Sequence, residues 1–345
     1  MPSVGLGTWQ MTGEDANTVI RDAVDAGYRH IDTATLYQNE IQIGDALADL
    51  FAEGKIKRED IFITTKAFCH EIAPNVVESS LRNSLKRLRL DHVDLYLAHI
   101  PAATNDDGTY RTDVKVEDIW KGFENLYNHG LTRSIGVSNF SNSQLERIIK
   151  IQTVPVHVSQ LELHLYLPQK AHRALCKKHN IVVTAYSTLG SPGRMNVISS
   201  TGKPLFEYTK DEPNEMEDEA VIKLAKKYNK TPAQILLRGT VEMGISVIPK
   251  STNKLRLREN IDIFDFIMGR DDVNLLDARS KEKQARLFWW PSINEHPEDP
   301  LTFVQHFLFC FPRSSVFKVR LLAVTFCSAI MFYLLRLPFY NLSLN

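Results

Sequence analysis

The sequence predicts an α/β chain folded as a (β/α)8 TIM barrel, on three observations. Short apolar runs of strand length alternate with amphipathic stretches of helical period, the pattern of βαβ units and a parallel sheet. Eight such runs fall within about 250 residues, close to 31 residues per unit, the repeat of a barrel of this kind. The 345 residues are 43% hydrophobic and 24% charged, ample for one large core and too apolar for a disordered chain.

The elements follow in order. Residues 4–6 form the first run, and Val19, Ile20, Val24 and Ala26 then mark a helical face closed by Gly27. The second run is 29–31 and the third 61–65, followed by a face of Val76, Val77, Leu81, Leu85 and Leu88. The fourth, 93–98, leads into a loop at 101–113. The fifth, sixth and seventh are 134–137, 156–159 and 181–185. Residues 189–217 then hold Gly, Pro, Ser and charge without periodicity, which reads as a functional loop. A face of Ala220, Val221, Leu224, Ala225 and Tyr228 precedes the last run, 246–249. No internal repeat or low-complexity tract interrupts this order.

Composition narrows the function. Lys+Arg is 41 and Asp+Glu 41, so the chain lacks the basic excess of a nucleic-acid binder. Four cysteines without a CxxC fit neither a disulfide scaffold nor a zinc ribbon. That usage, with no apolar leader before residue 4, predicts a reducing, cytoplasmic setting. Two segments mimic other sites. Gly5-x-Gly7 lacks the third glycine of a dinucleotide fingerprint, and Trp9-Gln10 would crowd a pyrophosphate. Cys176 with His179, and His157 with His164, have metal-like spacing without a second half, so no metal is expected.

Chemistry gathers where the strands end, the face at which such barrels place their catalytic groups. Asp32 and Tyr37 follow the second run, Lys66 the third, His99 the fourth, Ser138-Asn139 the fifth, Gln160 the sixth, Tyr186-Ser187 the seventh and Lys250-Ser251 the eighth. A tyrosine of ordinary pKa near 10 is a poor acid at neutral pH. A lysine ammonium beside it is expected to lower that pKa, a carboxylate to hold the lysine, and a histidine to orient a carbonyl oxygen. Together they make an acid for an oxygen on which charge develops. Singly, each has a plainer reading. Asp32 and Lys66 could be a rim ion pair, His99, Gln160 and Tyr186 packed residues, Tyr37 a loop aromatic, Ser138-Asn139 a helix cap, and Lys250 with Arg256 a solvated face. Their joint occurrence around seven successive strand ends favours the site.

These segments resemble the aldo-keto reductase family. The matches are 5–9 (GLGTW), 28–34 (YRHIDTA) through Tyr37, 40–44 (EIQIG), 64–66 (TTK), 94–99 (DLYLAH), 136–140 (GVSNF), 248–251 (IPKS) and 258–260 (REN), in family order over about residues 1–266. The resemblance implies NADPH-dependent reduction of an aldehyde or ketone, with Asp32, Tyr37, Lys66 and His99 as the catalytic tetrad and Tyr37 as proton donor. It implies that Ser138, Asn139 and Gln160 hold the nicotinamide carboxamide and that Tyr186 stacks on the ring. Thr8 and Trp9 lie beside the cofactor, Ser187 and Leu189 on the pyrophosphate side. Lys250, Ser251, Thr252 and Arg256 match the 2′-phosphate site, and Glu259 and Asn260 the adenine site. An ammonium and a guanidinium suit a dianionic phosphate, hence NADPH over NADH. Trp9, Phe68, His99 and Ile100 are expected at the substrate. A second implied possibility is a non-catalytic NADPH sensor or channel-auxiliary barrel, and a third an inactive product; the intact tetrad favours the enzyme, by analogy a monomer.

The chain departs from that family in four places. It starts at strand one without the hairpin that plugs the barrel bottom, so exposed inner strand ends are expected. Ile100 stands where a bulky residue follows the catalytic histidine. Leu237-Arg238-Gly239 replaces a Leu-Arg-Trp helix segment, so a cavity is expected. Residues 1–300 are read as the barrel with its substrate loop, and 301–345 as a separate apolar tail holding four basic residues, no acidic ones and eight of the 17 Phe. The uncharged 321–335 would make a helix about 22 Å long, short of a hydrocarbon core of roughly 30 Å. Membrane anchor, interfacial helix and read-through terminus are the three readings. The third accounts best for the loss of acidic residues.

Overall fold

The computed structural model describes residues 1–197, 214–281, 285–288, 293 and 296–301. Its eight parallel strands are β1 (Leu6–Gly7), β2 (His30–Asp32), β3 (Phe62–Ala67), β4 (Leu95–Ala98), β5 (Ile135–Ser138), β6 (Val158–Glu162), β7 (Val182–Tyr186) and β8 (Ser246–Val247). They pair in sequence order. The last strand meets the first: Val4 bridges Val247 in parallel, Gly5 N–H donates to Val247 O at 2.8 Å and Val247 N–H to Ser3 O at 2.9 Å. A parallel sheet whose crossovers are helices and whose ends meet is the expected (β/α)8 barrel.

Six of the strands begin one or two and end one to three residues later than the apolar runs suggest, whereas β4 starts two later and ends where its run ends, and β8 starts with its run and ends two residues earlier. Asp32, Lys66, Ser138 and Gln160 lie within the ladder instead of after it. A polar side chain reads as the end of an apolar run. Here each such side chain is buried at the site while its backbone keeps pairing.

Around the strands run α1 (Gly13–Asp25), α2 (Glu40–Ala52), α3 (Val77–Leu88), α4 (Val116–Asn128), α5 (Asn142–Ile151), α6 (Lys170–Lys178), α7 (Glu219–Tyr228), α8 (Pro232–Glu242), α9 (Lys254–Ile261) and α10 (Arg270–Ala278). Their starts carry local signals. Thr12 caps α1 by accepting from Asp15 N–H, ahead of an acidic first turn. Ser141 with Gln144, and Thr231 with Gln234, form capping boxes for α5 and α8. The apolar faces read from the sequence are the buried ones: Val19, Ile20 and Val24 in α1, Leu81, Leu85 and Leu88 in α3, Val221 and Leu224 in α7.

Of two expectations about packing, one holds in part and one fails. The inner residues Leu95, Leu97 and Val158 are buried together, with Phe62 at their margin and the His30 ring edge-on to Phe62 at 5.1 Å. Val182, in register with Val158 at the start of β7, is nevertheless 43% exposed, so the barrel bottom leaves one inner apolar end open, as expected, while covering the others. Beside Gly239, Leu276 of α10 moves in so closely that a Cβ on the glycine would lie 2.7 Å from Leu276 Cδ1. Only about 30 Å³ of cavity remains there, too little to leave an indole-sized void. Among the described residues no helix is long and apolar enough to cross a membrane. Residues 302–345, which hold the predicted tail, lie outside the described residues.

Candidate active site

Asp32, Lys66, Tyr37 and His99 come together at the C-terminal ends of β2 to β4. Lys66 is 0% and Asp32 2% exposed, so this ion pair is dry. The Lys66 ammonium donates to Asp32 Oδ1 and to Thr33 O, the latter at 2.9 Å. It also lies 3.4 Å from the Tyr37 hydroxyl oxygen. The second carboxylate oxygen of Asp32 accepts from Gln160 Nε2 at 2.7 Å. Every polar atom of the pair therefore has a partner, the condition under which a buried charge pair is tolerated.

Tyr37 ends a single 3₁₀ turn, Thr35–Tyr37, closed by Gln38 at φ +55°. Asn39 ties this turn down: its amide donates to Thr8 O at 2.9 Å and Met11 O at 3.2 Å, and accepts from Thr33 Oγ1 at 2.9 Å. Thr8 Oγ1 in turn donates to Asp32 O at 3.0 Å. The His99 ring stands edge-on to Tyr37 at 5.7 Å and to Phe68 at 5.8 Å. Burial, reinforced by the Lys66 charge, pushes its pKa well below the ordinary histidine value, so the ring is neutral at pH 7. Its Nδ1 is buried without a hydrogen-bond partner.

The pKa of Tyr37 is displaced in the direction opposite to the one expected. Burial, with the Asp32 carboxylate adding, holds the phenol well above its ordinary pKa. Asp32, held on the same ammonium, adds its negative charge to the effect of burial. Desolvation, which can move a buried group by up to about 3–5 pH units, then decides the sign.

The cofactor-side residues divide into two groups. Ser138 closes β5 and Asn139 follows at φ +63°. The Asn139 amide donates to His99 O at 2.9 Å and Ser138 Oγ at 3.2 Å, and accepts from the Tyr186 hydroxyl at 2.6 Å. Ser141, not this pair, caps α5. Phe288 stands edge-on between Trp9 at 5.5 Å and Tyr186 at 5.6 Å. Ser187 has φ +60°, and Leu189 is half-buried against the core. Ile100 is buried with Cys69, Ala102 and Ile293, bordered by Phe68.

The second group surrounds the start of α9. Asn253 Oδ1 accepts from the N–H groups of Leu255 and Arg256 at 3.0 Å each, and Ser251 Oγ from Asn253 N–H at 3.1 Å. Lys250 has its pKa lowered by desolvation, with Asp15 opposing and Arg256 adding. Neither cation has an ion-pair partner among the described residues. Thr252 and Glu259 are exposed; Asn260 is buried.

Sequence reasoning missed Asn39, Glu162 and Glu215, and read His164 only as a metal-like spacing with His157. Glu162 had a usable signal, because alternation puts it on the same face of β6 as Gln160. Glu215 had none, since it arrives from a distant loop.

A model of the aldo/keto reductase family matches residues 3–281. Aldo-keto reductase family 1 member A1 of Gallus gallus is 39% identical over 292 residues, 81% of this chain and 86% of that protein. Family 1 member C15 of Rattus norvegicus is 37% identical over 316 residues, 87% of this chain and 94% of that protein. Among solved structures, Bombyx mori aldo-keto reductase in complex with NADP gives a TM-score of 0.79 at 35% identity, covering 87% of this chain and 95% of that one. Aldose reductase of Schistosoma japonicum gives 0.77 at 31%, covering 88% and 96%. With the strand order, the buried lysine–carboxylate pair and these likenesses in agreement, the chain belongs to the aldo/keto reductase family.

Proposed function

We propose that the chain reduces aldehydes or ketones to alcohols with NADPH, and that Tyr37 is the general acid. The observation that carries this is the Tyr37 hydroxyl 3.4 Å from an ammonium that is itself buried on Asp32.

The residues fit the cofactor. Lys250 and Arg256 are close enough for their charges to be felt by one another, Asp15 acts on Lys250 only from a distance, and neither cation is in an ion pair among the described residues, which suits a 2′-phosphate. Gln160 commits its amide nitrogen to Asp32, leaving its oxygen for a carboxamide N–H. When bound, NADPH supplies a hydride to the carbonyl carbon.

The side chains do the rest. Tyr37, kept protonated by burial, has a proton to give at neutral pH. A carbonyl oxygen that gains a full negative charge becomes a stronger base than a phenolate, so a high phenol pKa does not prevent transfer. The Lys66 ammonium then faces the new phenolate and stabilises it in a dry site. Neutral His99 can hydrogen-bond the carbonyl oxygen without adding charge. Trp9, Phe68 and Phe288 supply aromatic walls, which favour apolar or aromatic carbonyl substrates.

The test is NADPH consumption with a panel of aldehydes, using wild type and Tyr37→Phe. The variant is expected to lose turnover by about 10²–10⁴-fold while binding NADPH within about threefold of wild type. Retained turnover in Tyr37→Phe would remove the acid role. A wild type inert to the whole panel would remove the reductase itself.

A further inference from the structure

Behind the site lies a buried charge cluster that the reaction does not use. His164, 2% exposed, sits between two buried carboxylates. Its Nε2 is hydrogen-bonded to Glu162 Oε1 at 3.0 Å. Its Nδ1 lies 2.6 Å from Glu215 Oε1, an ion-pair approach whose angle falls short of a straight hydrogen bond. Glu162 closes β6, and Glu215 comes from the far end of the long loop after β7.

The same Glu162 carboxylate accepts from the backbone N–H groups of Leu287 at 2.5 Å and Phe288 at 3.3 Å, and has Arg286 at 3.5 Å. Glu215 is pressed against Gly190, where a Cβ would meet Glu215 Oε2 at 3.0 Å. Gly190 has φ +76°, which a larger residue would adopt only with strain. One imidazole thus joins three segments: the end of β6, the loop leaving β7 and the segment bearing Phe288.

We propose that Glu162, His164 and Glu215 form a positioning latch that fixes Phe288 between Trp9 and Tyr186, and so shapes the substrate side of the active site. The inference deepens the reductase reading and rests on it for its kinetic consequence alone. With two carboxylates against one ring, the protonated form of His164 is the one that balances the cluster. Burial opposes that charge, and Glu215 and Glu162 more than restore it, so its pKa is raised to about 10. Among the described residues, the charged group facing the cluster is Arg286 on Glu162, and the neutral titratable groups are Tyr186 on the Glu162 side and Tyr166 beyond Glu215. Glu162 reaches this segment at the backbone N–H groups of Leu287 and Phe288, so the placement of that acceptor bears on where the ring stands.

Hydrogen exchange on the full chain tests the latch without any turnover. In His164→Leu, exchange at Leu287 and Phe288 should accelerate at least tenfold while the β4 amides of Leu95 to Ala98 keep their wild-type rates. In Glu215→Gln, which keeps the volume and leaves one carboxylate on the ring, the acceleration should be about threefold; this variant carries the test if His164→Leu does not fold. The kinetic arm uses a bulky aromatic aldehyde. His164→Leu should raise its KM about tenfold with kcat changed less than threefold, and should add less than twofold to KM when Phe288 is already alanine. Unchanged exchange at 287–288, equal acceleration in β4, or full additivity with Phe288→Ala would each overturn the latch. A wild type that reduces no aldehyde would bring down the reductase reading and leave the exchange arm to decide the latch.

Discussion

Asp32 accepts from two donors at once, the ammonium of Lys66 on one oxygen and the amide of Gln160 on the other. Removing one partner of a buried pair commonly destabilises by about 3–5 kcal/mol, so variants at Asp32 or Lys66 would confound stability with chemistry. Tyr37→Phe deletes one hydroxyl and avoids this. A second residue-scale expectation concerns Arg256. An exposed guanidinium beside Lys250 gains most from a ligand carrying a phosphate at that point, and a hydrogen bond to a charged group is worth about 1.5–3 kcal/mol. Arg256→Ala should therefore weaken NADPH binding about tenfold to a hundredfold and leave NADH within twofold, measured by fluorescence titration. An unchanged NADPH-to-NADH ratio would remove Arg256 from the phosphate site. The identities of the four tetrad candidates were legible because each stands at a strand end or just past one. The direction of the Tyr37 shift was not, because it is set first by how deeply the phenol is buried and then by Asp32, neither of which a sequence shows.

Strand positions were legible to within three residues, because apolar period is local, and inward polar side chains blurred the ends of β2, β3, β5 and β6. Contacts between elements were less so. In α2, Gly44 lies so close to the end of α3 that a Cβ would meet Arg87 O at 2.3 Å and the Leu88 backbone at 2.7–2.8 Å. Helix propensity alone would make Gly44→Ala favourable by about 1 kcal/mol. Backbone cannot step aside as a side-chain tip can, so overpacking should win, with a net loss of about 1–3 kcal/mol. Thermal unfolding decides: a Tm equal to or above wild type would show that the two helices can separate without cost. Leu276 beside Gly239 teaches the same lesson in reverse, since a sequence shows the missing indole but not the leucine that replaces its volume.

Over the whole molecule, buried histidines oppose one another as pH changes. His30 and His172 are held neutral chiefly by burial, each with its pKa lowered to about 4, against about 6.5 when unfolded. The folded state then binds fewer protons between those values, so stability is complete above about 6.5 and declines as pH falls towards 4, by roughly 3 kcal/mol for each histidine at the limit. His164 behaves oppositely. Its contribution is full below about 6.5 and disappears as pH rises through about 10. Urea midpoints should therefore peak near neutrality and drop on both sides. His172→Gln, which can keep hydrogen bonds to Ser159 and Asn142, should flatten the acid side; a midpoint constant from pH 7 to 5 in wild type would contradict the assignment. A last consequence follows from how the sheet meets itself. The two shortest strands, β1 and β8, are neighbours across the closing seam, and Pro2 and Ser3 carbonyls take hydrogen bonds from Ser246 and Val247. The hoop is therefore fastened by its own first few residues, on the rim opposite Tyr37, and trimming them would undo the clasp before it disturbed the chemistry.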